Sequence, residues 1–105
     1  MSNQKESNAF FISLVISLSQ AVMMQLGKIT NPVSGKVEKD INQAKMSIDM
    51  MIMLKEKTKG NLTKEEEVIL GDALANLQLN YVEEVKRDAS ASANTAPPEN
   101  EKTVN

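Results

Sequence analysis

At 105 residues with a formal net charge of −2, the chain holds one small domain at most and has no electrostatic claim on nucleic acid. It contains no cysteine, histidine or tryptophan, which excludes disulfides and thiolate metal sites and removes the commonest general base and the commonest metal ligand. An enzyme would have to work with Asp, Glu, Lys and Ser. No catalytic, cofactor-binding or metal-ligating residue stands out.

Residues 1–7 form a short polar leader, expected to fray. The stretch from Ser7 to Gly27, SNAFFISLVISLSQAVMMQLG, then runs for 21 residues without a charge, in a chain of which 25% is charged. Ser7 or Asn8 can cap a helix that reaches about Leu26, with Gly27 suited to the left-handed residue that ends it. Phe10, Phe11, Ile12, Leu14, Val15, Ile16, Leu18, Val22, Met23, Met24 and Leu26 fall almost all round this helix. Such a helix is expected to be buried.

Ala9, Ser13, Ser17 and Ala21 recur at intervals of four and draw a ridge of small side chains along it, beside Phe10, Phe11 and Leu14. Small residues at this spacing let another helix come close, either one of the chain's own or a neighbour's. These seven residues are the candidate interface. The length also nears that of a membrane span. Against a span stand Ser13, Ser17, Ser19, Gln20 and Gln25, and flanks in which Lys5 and Glu6 cancel and only Lys28 follows. A signal peptide is disfavoured by the absence of a basic leader and of a small-x-small cleavage site, so a cytoplasmic location is expected.

Residues 28–39 read as a connector with a turn at Asn31-Pro32-Val33-Ser34-Gly35. Gly35-Lys36 lacks the remainder of a phosphate loop and the strand before it. Asp40 caps a second helix, Ile41 to about Thr58, with Gln43 placed to reach back. Its stripe is Ile41, Ala44, Ile48, Met51, Ile52 and Lys55, widened by Met46, Met50, Met53 and Leu54. Lys55, Lys57 and Lys59 suit its last turn, and Gly60 ends it.

Thr63-Lys64-Glu65-Glu66 is a capping box for a third helix, Lys64 to about Arg87. Glu65, Glu66 and Glu67 complement its positive end rather than forming a metal site, because consecutive carboxylates point apart. Leu70, Ala73, Leu74, Leu77, Tyr81 and Val85 line one face, with Ile69 beside it. Residues 28–60 hold seven lysines against four acids, a balance of +3, and residues 61–88 hold three cations against seven acids, −4. Opposite charge, a short turn and matched lengths predict an antiparallel hairpin of the second and third helices. Residues 89–105, rich in Ala, Ser, Pro and Glu, read as a disordered tail.

The phrases Phe11-Ile12-Ser13-Leu14-Val15, Asn31-Pro32 with Gly35, Ile48-Asp49-Met50, Glu56-Lys57-Thr58-Lys59-Gly60-Asn61-Leu62-Thr63, Glu65-Glu66-Glu67 and Tyr81-Val82 resemble the small bacterial family known as domain of unknown function 1844. The likeness spans about Ala9 to Glu83, and Glu56 to Thr63 is its most distinctive run. It implies a mostly helical protein without an assigned activity, and it supplies no functional residues to carry over. Lys64, where the family pattern has proline, and the polar Asn76 and Asn80 depart from it.

The expectation is therefore an all-α fold over residues 8–88, a long apolar helix against a helical hairpin, completed by homo-oligomerisation. The expected function is non-enzymatic interaction through the first helix, with itself or with another protein. A membrane-inserted first helix is the alternative.

Overall fold

The computed structural model describes residues 2–95, with the side chains of residues 8–90. It contains α1 (Ser2–Gln25), α2 (Ile41–Lys57) and α3 (Lys64–Thr95), and no strand occurs among the described residues. Each helix packs on both others, in a body measuring 65 × 30 × 15 Å.

α1 starts at Ser2, earlier than the expected cap at Ser7 or Asn8. A Ser or Asn caps only where the chain before it leaves the helix, and Gln4, Lys5 and Glu6 are good helix formers. Its other end closes as the sequence indicates. Gly27 has φ +79°, its N–H donates to the Met24 carbonyl (2.9 Å), and the Lys28 N–H donates to the Met23 carbonyl (2.9 Å). This double bond pattern satisfies two of the helix's last carbonyls and needs a residue tolerant of positive φ.

The connector is closed by its own hydrogen bonds. Asn31 Oδ1 accepts from the Val33 N–H (2.8 Å), and Asn31 exchanges backbone bonds with Gly35 and Lys36 (2.7 and 2.8 Å). Its last residue turns the chain back onto α1. The Asp40 N–H donates to the Gln25 carbonyl (2.7 Å), while Asp40 Oδ1 accepts from the Gln43 N–H (3.1 Å). The Asp40 amide that Gln43 was placed to reach is thus already occupied by α1.

The Thr63 box forms in full. Thr63 Oγ1 accepts from the Glu66 N–H (3.1 Å), and Glu66 Oε1 accepts from the Thr63 N–H (2.9 Å). Lys39 at the start of α2 meets Glu84 near the far part of α3, as an antiparallel hairpin requires. α1 ends at that same place, so α1 and α3 run toward one end and α2 runs against them.

The core takes Val15 and Val22 from α1 with Leu26 just past its end, Ala44, Ile48 and Met51 from α2, and Leu70, Leu74 and Leu77 from α3. Ser47 is buried between them, its hydroxyl donating to Gln25 Oε1 at 2.8 Å, which satisfies a polar group the apolar rhythm gave no reason to expect. Five expected stripe positions lie outside. Lys55, Met46, Met50 and Met53 are exposed on α2, and so is Val85 at 41% on α3, where the 3–4 rhythm steps from Tyr81 to Glu84 instead. α3 also continues past Arg87 to Thr95, so residues 89–95 of the expected tail are helical, favoured there by Ala89, Ala91 and Ala93. The rest of that tail, residues 96–105, lies outside the described residues.

Candidate interaction surface

Within one copy of the chain the hairpin covers only part of α1. Only 11% of the window Asn8–Gln25 is buried. Val15, Val22 and Leu26 carry the core contact, with Phe11, Leu18 and Met23 packed beside them. Ser13 and Ser17 lie two positions either side of Val15, just over half a turn away, and both are exposed.

The ridge therefore faces away from the hairpin. Ala9 is exposed with the two serines, and Ala21 is half-buried. Phe10 at 72%, Leu14 at 46% and Ile16 at 50% exposure flank the ridge and make the face apolar. Phe11 turns the other way and belongs to the core side. The structure thus keeps six of the seven candidate residues on or beside one open strip and separates Phe11 from them. Ile16, which joins the strip, had no feature in sequence that set it apart from Val15.

A second feature sits where the three helices converge. Glu84 is a carboxylate on the core-facing side of α3, only 3% exposed. Its Oε1 accepts from Lys39 Nζ at 2.8 Å, its Oε2 lies 2.8 Å from Lys28 Nζ in an ionic contact without good hydrogen-bond alignment, and Arg87 approaches the same oxygen at 3.3 Å. Lys39 also bonds Asp88 Oδ1 at 2.6 Å. Glu84 is covered thinly, by its own lysine partners, and does not lie deep among apolar groups. The Lys28 ammonium first, then that of Lys39, hold its pKa at about 2, and burial opposes them without prevailing.

This node joins both ends of the connector to α3. The complementary charge of the two segments is realised here, since Lys28 and Lys39 reach Glu84, Glu83 and Asp88, whereas Lys45 pairs within its own helix with Asp49. The signal in sequence was the position of Glu84 within the 70–74–77–81 rhythm, which hydropathy alone awards to Val85.

A pocket of about 460 Å³ opens between α2 and α3 near their turn. Ile52, Leu62 and Leu70 supply its apolar wall, and Lys55, Lys59, Glu56 and Glu67 bring both charge signs to it. Such a rim selects neither an anion nor a cation. Among the described residues no three acidic side chains converge as a metal site would need. Glu66 serves the cap, while Glu65 and Glu67 are exposed.

No curated protein and no solved structure matches this chain. The profile of one family does, over residues 8–83, and this range takes in the core of all three helices, the connector and the capped turn. The chain belongs to the family described as Domain of unknown function (DUF1844).

Proposed function

We propose that this protein is a non-enzymatic helical interaction module that self-associates through the outer face of α1 and works in the cytoplasm. The observation that carries the reading is the open apolar face of α1, with Phe10 72% exposed on a helix that has no charge between Ser7 and Gly27. Fully covering an exposed side chain of this size is worth about 1.5–3 kcal/mol; Phe10 at 72% exposure would regain most of that, and Leu14 and Ile16 about half each. That sum is a large fraction of a small domain's stability. A partner that covers them recovers it.

A membrane-inserted α1 is the second reading, favoured by the length and apolar character of Asn8–Gln25. Two features weigh against it. Insertion would pull Val15, Val22 and Leu26 out of the core they share with the hairpin, and it would place Ser13, Ser17 and Gln20 in hydrocarbon.

Light scattering on the full-length chain over a range of concentrations tests the proposal. A mass that is a multiple of 11.5 kDa supports it. A folded monomer throughout refutes it, and recovery only in detergent or with lipid vesicles hands the case to the membrane reading.

A further inference from the structure

We propose that the pocket beside the α2–α3 turn binds a small zwitterion with apolar side chains, an amino acid or short peptide with free termini. Among the described residues its lining comes from α2, the turn and α3, so the site is separate from the open face of α1. Its volume of about 460 Å³ falls within the range of about 300–1,000 Å³ typical of small-ligand sites.

The turn sets its shape. Thr58 Oγ1 donates to the Leu54 carbonyl (2.8 Å), the Asn61 N–H donates to the Thr58 carbonyl (2.8 Å), and Gly60 takes φ +87°. Lys59 and Leu62 are thereby held on either side of the reversal. The Thr63 box, continued by the bond from the Glu67 N–H to the Thr63 carbonyl (3.0 Å), fixes where Glu67 stands on α3. Ile52 and Leu62, both half-buried, give the pocket an apolar wall.

The charges at the mouth select the guest. Lys55 and Lys59 supply two cations and Glu56 and Glu67 two anions, all of them exposed. Among the described residues none of these four enters an ion pair, although Lys45 and Asp49 elsewhere on α2 pair at 3.0 Å. An uncharged guest would shield the four from water without offering them partners, at a cost in desolvation. A guest of one sign meets as many like charges as unlike ones. A zwitterion offers its carboxylate to the lysines and its ammonium to the glutamates, both in charge-assisted hydrogen bonds. Its apolar side chain then lies against Ile52 and Leu62.

The probe is leucyl-leucine, compared with its N-acetyl form, which keeps only the carboxylate, and its C-terminal amide, which keeps only the ammonium. Each is titrated into the isotopically labelled full-length chain and followed by the backbone amide signals. The free dipeptide should shift the signals of Ile52, Lys59, Leu62 and Glu67. It should bind about fivefold tighter than either capped form, the value of one ion pair at an exposed mouth. Lys59→Gln should weaken the dipeptide and the N-acetyl form and spare the amide, and Glu67→Gln should weaken the dipeptide and the amide and spare the N-acetyl form. Both positions are exposed, and circular dichroism checks the fold of each variant.

Equal affinity for the three forms would reveal an apolar cleft that does not read charge, and would overturn the proposal. So would substitutions that weaken all three forms alike, shifts confined to other parts of the chain, or no saturable shift up to about 10 mM dipeptide. None of these results depends on whether the chain self-associates, so the self-association reading stands or falls separately by light scattering.

Discussion

Replacing Glu84 with glutamine keeps the shape of the side chain and removes its charge, leaving Lys28, Lys39 and Arg87 facing one another with only Glu83 and Asp88 to balance them. The difference between its pKa of about 2 and the ordinary 4.5 corresponds to at most about 3 kcal/mol. Lys28 and Lys39 are 22% and 30% exposed, so water screens part of that, and about 1–2 kcal/mol is the expected loss. The folded value lies below the unfolded one. The contribution is accordingly complete above about pH 5 and disappears as pH falls through 4.5 toward 2. Urea titrations of wild type and Glu84→Gln at pH 7, 4 and 2.5 should give curves that are well apart at neutral pH and merge in acid. A gap that stays constant down to the lowest pH would show that the substitution acts by packing and would refute the electrostatic account. Lys39 has the mirror-image dependence. Asp88 first and Glu84 next raise its pKa, so its contribution is intact below 10.5 and lost as pH rises through the folded value.

Thr63→Ala removes the hydroxyl that accepts from the Glu66 amide and should cost about 1 kcal/mol, or roughly 4–8 °C in thermal midpoint; an unchanged midpoint would mean the cap contributes nothing. Glu66→Ala should cost at least as much as Thr63→Ala, because Glu66 is the buried member of the pair at 4% exposure, and an effect smaller than that of Thr63→Ala would contradict this ranking. Gly27→Ala combines a positive φ with a new Cβ placed 3.3 Å from the Lys39 side chain, so it should lower stability by about 1–2 kcal/mol and loosen the Glu84 node with it. Wild-type stability would place the strain elsewhere. Truncation after Asp88 retains the Lys39 contact and should leave the thermal midpoint within error, since among the residues with described side chains none beyond that point belongs to the core; a fall of several degrees would show that the last turns of α3 dock.

Most of the fold was legible because its signals are local. The Thr63 box, the Asp40 cap, Gly27 and the inner line of each stripe (Ala44, Ile48 and Met51; Leu70, Leu74 and Leu77) depend on neighbours a few positions away, and each appears where the residues place it. The misplacements occurred at helix ends, where propensity carries a helix past its expected limit for as long as nothing opposes it. Gln4, Lys5 and Glu6 extended α1 toward Ser2, and the alanines after Asp88 extended α3 to Thr95.

The face that α1 turns to the hairpin was not legible, and the reason is the same property that drew attention to it. Amphipathic α2 marks its inner side by contrast, with Ala44, Ile48 and Met51 on one face and Lys45, Asp49 and Glu56 exposed on the other. α1 has no such contrast, since Val15 and Ile16 are equivalent to any reading of hydropathy. Only the shape of the hairpin decides that Val15 goes in and Ile16 stays out. A chain that needed α1 merely to roof its hairpin could have placed lysine or glutamate at positions 10, 14 and 16 and gained solubility. Instead, Phe10, Leu14 and Ile16 stand there, and the nearest charges lie beyond both ends of the strip. That distribution is costly for a lone domain in water, and a covering partner removes the cost.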